Sequence, residues 1–251
     1  MSTITYLWNK FFIPMPREII VVRHAQSTRN LGLDGKVHFT TQKELDLYGP
    51  ESDPEIDISR NGELQAKKAG KILASMGLIP NVVIHSGYRR TINTACHILS
   101  GFPKPSNIPF VENSNLRERR AGYTFQMIQE RVDRHFPWIQ EHWDKSGPYM
   151  AVPVGGESFI EMTEGRIRHA LLDICQKYRG KRVLIVGHGG TNRCIHMALE
   201  RMTICQADSF CRDKTKVPKN CSISQYHYDP EINRMVTVSY AEDLVGEYDD
   251  E

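Results

Sequence analysis

Two histidines follow apolar runs at distant points of the chain. Residues 19–23 (Ile-Ile-Val-Val-Arg) lead into His24, and residues 183–187 (Val-Leu-Ile-Val-Gly) lead into His188. Runs of this length and composition are typical of strands buried in a parallel sheet. Because open α/β sheets bind ligands at the carboxyl ends of such strands, we expect both histidines at one edge of one sheet. With Arg23 beside His24, the two histidines predict a catalytic or ligand-binding site.

An arginine next to a histidine suits the binding and transfer of a phosphate. The guanidinium of Arg23 offers a planar fork of donors that matches a phosphate or a carboxylate. Histidine can act as nucleophile, acid or base near neutral pH, because its reference pKa is about 6.5. A neighbouring cation disfavours the protonated ring, which helps to keep one ring nitrogen of His24 free to attack.

Two other predicted strand ends add charged side chains. Arg89 and Arg90 follow a short strand that ends at Ile84, and Glu118 follows a weak strand near Phe110. Cations, two histidines and one carboxylate form a set that suits phosphoryl transfer, in which positioning and charge stabilisation dominate. Taken alone, Glu118 lies among arginines and also fits a solvated charge cluster.

The elements that must position these residues alternate between strands and helices. Apolar residues at helical spacing follow Ser59, Tyr88 and Ser158, between the predicted strands. Two further strands close the pattern near the C-terminal end. This alternation predicts a single domain over residues 1–251, a three-layer αβα sandwich with a mostly parallel central sheet.

Two segments depart from the alternation and predict a small cap. Residues 31–57 are polar and rich in Asp, Glu, Gly and Pro, which is typical of a long functional loop. Residues 123–154 carry a helical pattern from Phe125 to Asp144 that is broken near Pro137.

Composition limits the classes of partner. The 251 residues are 40% hydrophobic and 25% charged, as in ordinary globular proteins, and a net charge of +2 is too small to favour nucleic acid.

Residues 1–15 show neither a signal peptide nor a membrane span, and the six cysteines form no C-x-x-C pair, which favours a cytoplasmic location. The acidic residues 247–251 predict a frayed tail. The oligomeric state stays open, a dimer included.

The motifs around these residues resemble those of a known family. Residues 23–30, Arg-His-Ala-Gln-Ser-Thr-Arg-Asn, resemble the R-H-G-E-x-x-x-N signature of the histidine phosphatase superfamily, which includes the cofactor-dependent phosphoglycerate mutases. Six motifs in the family's order are hard to obtain by chance, and they imply a phosphoglycerate mutase-like α/β fold. The other five are Ile58–Gly62 (L-S-x-x-G), Ser86–Ala95 (S-x-x-x-R-A-x-x-T-A), Leu116–Gly122 (L-x-E-x-x-x-G), Gly155–Ser158 (G-G-E-S) and Val186–Gly189 (the second histidine).

The resemblance implies a role for each matching residue. His24 attacks phosphorus and becomes a phosphohistidine. Glu118 protonates the leaving alcohol and then, as a carboxylate, activates the water that cleaves the phosphoenzyme. No metal ion and no cofactor is implied, because arginines and the second histidine supply the positive charge. The residues implied to hold the phosphate oxygens are Arg23, Asn30, Arg90, His188 and the backbone N–H of Gly189.

The sequence departs from the family pattern in three places. Ala25 and Gln26 stand where the family commonly has Gly-Glu. Arg89 lies beside Arg90, and the family alignment favours Arg90 as the phosphate ligand. Ala121 stands where the mutases have a substrate-binding tyrosine.

The third departure bears on the reaction. The mutases also carry a longer segment after the acid motif, with a pair of arginines for the substrate carboxylate, whereas here Arg131 and Arg134 are separated helical residues. The sequence therefore favours a phosphatase that hydrolyses a small phosphomonoester. Mutase-type phosphoryl transfer is the alternative. A non-catalytic phospho-ligand binder or scaffold is the second alternative, although it would not need His24 and Glu118 together.

Overall fold

The computed structural model describes residues 15–49 and 52–246, and the strands of these residues form one sheet. The first four strands along the sheet are parallel, and the last two are antiparallel. The predicted α/β fold with a mostly parallel sheet is therefore confirmed. The order is β3-β2-β4-β1-β5-β6, with β1 (Glu18–Arg23), β2 (Val82–His85), β3 (Phe110–Glu112), β4 (Arg182–Gly187), β5 (Ile223–Asp229) and β6 (Arg234–Glu242).

Helices connect these strands and cover the sheet. Ser59 and Ser158 accept hydrogen bonds from backbone N–H groups in the first turns of the helices Arg60–Ser75 and Phe159–Met162, as their N-terminal positions predict. A π-helical segment, Thr163–Ile167, joins the second of these to the helix Arg168–Lys177. The helices are α1 (Thr28–Leu33), α2 (Gln42–Tyr48), α3 (Arg60–Ser75), α4 (Arg89–Leu99), α5 (Gln129–His135), α6 (Ile139–Ser146), α7 (Phe159–Met162), α8 (Arg168–Lys177), α9 (Gly189–Leu199) and α10 (Ile204–Arg212).

The strand β1 takes part in two hydrophobic cores, one on each face of the sheet. Ile19 and Val21 belong to one core, and Ile20 and Val22 belong to the other. Successive side chains of a strand point to opposite faces, so an uninterrupted apolar run is required where both faces are covered. This explains why the residues before His24 show no polar alternation.

The polar stretch 31–57 is more regular than a long loop. It contains α2 and a 3₁₀ turn, Asp53–Glu55, so the expectation of a long loop without regular structure is wrong. Thr41 and Glu44 form a capping box that starts α2, a local signal that the high polarity of the stretch obscured.

The segment after Gly122 is broken at Pro137, as predicted, between α5 and α6. The first of these helices begins at Gln129 rather than near Phe125, because residues 122–126 form a 3₁₀ turn.

The two insert segments touch each other through a small third core. Phe39 lies beside Ile128 in an isolated bridge, and Leu45 packs with both. Residues 1–14 and 247–251 lie outside the described part, and so do the expectations for the amino-terminal segment and the acidic tail. Within residues 15–49 and 52–246, no helix is long and apolar enough to cross a membrane.

Candidate active site

The parallel pairing of β1 with β4 brings the two histidines together. Arg23 is in register with Gly187, so His24 and His188 leave the sheet at the same edge. Their ring centroids are 5.3 Å apart in an edge-on arrangement, and both side chains are buried. The expectation that both histidines lie at one edge of one sheet is confirmed.

The hydrogen bonding of His24 leaves one ring nitrogen free. Its Nδ1 lies 2.8 Å from the carbonyl oxygen of Ala25, which can only accept, so Nδ1 carries the proton and Nε2 carries a lone pair. Burial, followed by the positive charges of Arg90 and Arg23, holds the pKa of His24 well below its ordinary value of 6.5. The ring is therefore neutral at neutral pH, with Nε2 available as a nucleophile.

His188 is held by a chain of hydroxyl groups. The Thr91 hydroxyl donates to the Tyr88 carbonyl oxygen (2.8 Å), so Ser86 must donate to Thr91 (2.9 Å). Nε2 of His188, 2.8 Å from Ser86 Oγ, is then the donor of the last bond. Its Nδ1 is buried and has no hydrogen-bond partner among the described residues.

Burial and neighbouring cations also act on His188. Burial lowers its pKa well below 6.5, with further lowering from Arg90, His24 and Arg23. An anion placed among these groups would oppose that effect and favour a proton on Nδ1, which could then donate to the anion. The unpartnered nitrogen therefore marks a position suited to a phosphate oxygen.

Arg23 contributes a second unpartnered nitrogen. Its Nη1 donates to the Pro218 carbonyl oxygen at 2.6 Å, whereas Nε is buried and has no partner in the described part of the chain. Burial lowers the pKa of Arg23, and the negative charge of Glu118 opposes this effect. The guanidinium is thus anchored at one end and available for an anion at the other.

The structure distinguishes the two neighbouring arginines. The Arg90 side chain is 6% exposed, and its Nη1 lies 2.9 Å from the Asp53 carboxylate. Arg89 is about half exposed and pairs with Glu55. Because the charge of Arg90 lowers the pKa of His24, Arg90 is the arginine that acts on the site.

The Glu118 carboxylate lies at the amino end of α9. One oxygen accepts from the backbone N–H of Gly190 at 3.0 Å, and the other accepts from the N–H of Arg119 at 2.7 Å. A Cβ atom on Gly190 would lie 2.4 Å from Glu118 Oε1, so this position requires glycine for the carboxylate to stay. At Gly189 the nearest atom would be Nε of Arg23, at 3.6 Å, which is an ordinary contact.

Asn30 has a structural role beside its expected one. Its Oδ1 accepts from the Ser27 N–H in the capping box of α1, so the NH₂ group is the part left for a phosphate. Asn220 donates to this Oδ1 at 3.2 Å and to the His24 carbonyl oxygen at 2.9 Å. Asn220 was not predicted from the sequence, because it lies in the connection before β5, far from every motif.

The structure shows what surrounds two features in which the sequence differs from the family pattern. Gln26 replaces the usual glutamate and accepts a hydrogen bond from the Ser59 hydroxyl at 2.7 Å, which ties the loop after β1 to the start of α3. Arg131 and Arg134 are both exposed on α5, and Arg134 pairs with Glu130.

Among residues 15–49 and 52–246, no group of three or more His, Cys, Asp or Glu side chains could hold a metal ion.

Comparison with known proteins finds a matching family and related enzymes. The profile of the histidine phosphatase superfamily (branch 1) matches residues 19–240. The 2,3-bisphosphoglycerate-dependent phosphoglycerate mutase of Bartonella bacilliformis is 31% identical over 192 residues, which cover 75% of this chain and 84% of the mutase. The enzyme of the same name from Bartonella quintana is 32% identical over 189 residues, covering 74% and 82%.

Solved structures show the same fold at lower identity. A mycobacterial glucosyl-3-phosphoglycerate phosphatase in complex with inorganic phosphate has a TM-score of 0.69 at 18% identity, covering 92% of this chain and all of that one. A putative alpha-ribazole-5'-P phosphatase from Escherichia coli has a TM-score of 0.70 at 16% identity, covering 93% and all, respectively. From the match over residues 19–240 and the relatives above 30% identity, we conclude that this chain belongs to the histidine phosphatase superfamily, branch 1.

Proposed function

We propose that the protein is a phosphatase that hydrolyses a small phosphomonoester through a phosphohistidine on His24. The observation that carries the proposal is the unprotonated Nε2 of His24 at a buried site with two nitrogens that have no partner among the described residues, Arg23 Nε and His188 Nδ1. Such a site suits a phosphoryl group, which needs donors for its oxygens and a nucleophile in line with the leaving oxygen.

In the first step Nε2 of His24 attacks phosphorus and forms an N–P bond. The P–O bond to the leaving alcohol breaks, and the protonated carboxyl of Glu118 gives its proton to the leaving oxygen. Arg23, Arg90 and protonated His188 hold the phosphoryl oxygens. The NH₂ group of Asn30 and the N–H of Gly189 add further donors.

In the second step a water molecule enters where the alcohol left. The Glu118 carboxylate takes one proton from this water while the oxygen attacks phosphorus and the N–P bond breaks. Inorganic phosphate leaves, His24 regains its lone pair, and Glu118 is again protonated. The cycle therefore needs no group beyond the substrate, the water and these side chains.

Two features favour hydrolysis over mutase-type transfer. Ala121 occupies the position of the substrate-binding tyrosine, and Arg131 and Arg134 are exposed on α5 instead of forming a paired carboxylate site. The identity of 31% to a phosphoglycerate mutase supports transfer as the second candidate.

Product analysis separates these reactions. The purified protein is incubated with 3-phosphoglycerate together with 2,3-bisphosphoglycerate, which would phosphorylate His24 in a mutase of the related kind, and separately with a panel of sugar phosphates, nucleotides and aryl phosphates. Release of inorganic phosphate in proportion to substrate loss is expected. Conversion to the 2-phospho isomer without free phosphate would instead establish the mutase.

The role of Glu118 is tested with a series of leaving groups. Glu118→Gln cannot donate a proton, so its loss in kcat/KM should reach about 10²–10⁴-fold for alkyl phosphates and be smaller for p-nitrophenyl phosphate, whose leaving group needs little help. An equal loss across the series would rule out Glu118 as the acid.

A further inference from the structure

The loop that carries Glu118 is held through its backbone by one arginine. Nη1 of Arg166 donates to the carbonyl oxygens of Asn115 (2.7 Å) and Arg117 (2.6 Å). Nη2 of Arg166 donates to the carbonyl oxygen of Glu118 itself, at 3.1 Å. Three carbonyl groups in four consecutive residues thus share a single guanidinium.

A carboxylate fixes the orientation of this guanidinium. Glu157 accepts from Nε of Arg166 at 3.0 Å and from Nη2 at 2.9 Å, a bidentate pair whose side chains are 9% and 18% exposed. Glu157 also binds the far end of the loop, because its backbone N–H donates to the Arg120 carbonyl oxygen at 3.0 Å. The pair therefore holds the backbone on both sides of the Glu118 side chain.

The position of Arg166 in the chain is also unusual. It lies in the π-helical segment Thr163–Ile167, between α7 and α8. Single π turns inside helices occur frequently at functional sites. The neighbouring Arg168 has an ordinary surface environment, since it is 41% exposed and pairs with Glu164 one turn away.

We propose that Arg166 is a positioning residue for the acid, and that with Glu157 it holds the Glu118 carboxyl in reach of the leaving oxygen. This rests on the proposed function, in which Glu118 donates a proton to that oxygen. Glu118 is otherwise located by two backbone N–H groups, those of Arg119 and Gly190, and the first belongs to the loop that Arg166 holds. A shift of the loop would therefore move the carboxyl without removing it.

The guanidinium is required by its shape as well as by its charge. Its planar set of donors reaches three carbonyls and a carboxylate together, whereas a lysine offers a compact point charge that does not match this fork. Lysine at this position should therefore preserve folding better than an apolar side chain, yet restore only part of the positioning.

The test compares two leaving groups in matched variants. Arg166→Met, Arg166→Lys and the control Arg168→Met are assayed with p-nitrophenyl phosphate and with an alkyl phosphate such as glycerol phosphate. We expect Arg166→Met to lose about 10²-fold more kcat/KM with the alkyl phosphate than with the aryl phosphate, because a misplaced acid matters most for a poor leaving group. Arg166→Lys should lie between wild type and Arg166→Met, and Arg168→Met should match wild type.

A purely structural role would lower both activities by the same factor, since it would only reduce the amount of folded enzyme. Equal losses for the two substrates in Arg166→Lys would overturn the proposal, provided that Glu118→Gln shows the selective loss in parallel. If Glu118→Gln shows none, the assignment of the acid fails and the proposal fails with it. Should Arg166→Met not fold, Glu157→Gln, which keeps one acceptor for the guanidinium, replaces it with the same expected selectivity.

Discussion

At the scale of single residues, two histidines in one pocket receive different environments from their hydrogen bonds. The Ala25 carbonyl fixes the proton of His24 on Nδ1 and leaves the lone pair on Nε2, whereas Ser86 accepts a hydrogen bond from the Nε2–H of His188 and leaves the lone pair on Nδ1. The first arrangement suits a nucleophile, and the second suits a group that gains a proton when an anion binds.

The lowered pKa of His24 predicts a pH dependence. Only the neutral ring attacks. Because the pKa of His24 lies below 6.5, the ring is still mostly neutral at pH 6.5 and gains its proton only at lower pH. The acid limb of kcat/KM, which reports the free enzyme, should therefore have its midpoint below pH 6.5 after correction for ionisation of the substrate. A midpoint at or above 6.5 would contradict the environment described for His24.

The two neighbouring arginines provide a matched pair of variants. Arg90→Met removes a buried cation from the site and should lower kcat/KM by about 10²-fold or more. Arg89→Met removes an exposed ion pair, which contributes about 0–1 kcal/mol to stability, and should leave kcat/KM nearly unchanged. A larger effect at Arg89 would mean that the two side chains have been assigned the wrong way round.

The order of the sequence motifs was enough to predict most of these residues. His24, Arg90 and His188 lie where their strands and helices predicted, since strand ends in a parallel sheet must meet at one edge. Asn220 and Arg166 were not predictable, because each acts on backbone groups distant in sequence, and no local pattern records such contacts.

At the scale of elements, the site depends on how α9 begins. The helix starts directly after His188, and its first turn meets the Glu118 carboxylate, which is favoured near a helix amino terminus. The small residues of this turn allow the carboxylate, Arg23 and the ring of His188 to lie close together.

Adjacent glycines in α9 allow a direct test of this packing. A methyl group at Gly190 would displace Glu118 Oε1, whereas one at Gly189 meets only ordinary contacts. Gly190→Ala should therefore lower kcat/KM for alkyl phosphates by about 10-fold or more. Gly189→Ala should stay within about twofold.

Thermal unfolding of the two variants serves as the control. Similar unfolding temperatures are expected, because the Gly190 methyl would meet side-chain atoms of Glu118 and Phe159 rather than backbone. Equal activity of the two variants would show that the carboxylate is not where the structure places it.

The elements themselves were predictable to different degrees. The buried strands and the long helices follow from apolar periodicity. The helix α2 was missed because its surroundings are polar and its stability depends on a capping box and on Phe39 and Leu45 packing against Ile128, a distant segment.

At the scale of the whole molecule, both hydrophobic cores share the same central strands. Because β1 and β4 contribute alternate residues to the two faces, both cores depend on the same two strands. The single domain over residues 1–251 stays a prediction, which the stability of the folded protein can test.

Calorimetry tests the single domain. We expect one unfolding transition whose calorimetric and van't Hoff enthalpies agree, because the shared sheet couples the two cores. Two separated transitions would show that part of the chain, such as the inserts around Phe39 and Ile128, unfolds independently.

The central claim is that His24 carries the phosphoryl group, and a rapid-quench experiment tests it most directly. The protein is mixed with a ³²P-labelled phosphomonoester that it turns over, stopped within milliseconds and analysed for protein-bound label. A label that is lost in acid but stable in base, located on the peptide of His24 and absent from His24→Ala, is the predicted result. Turnover by His24→Ala, or turnover by the wild type with no labelled protein at any time, would contradict the account.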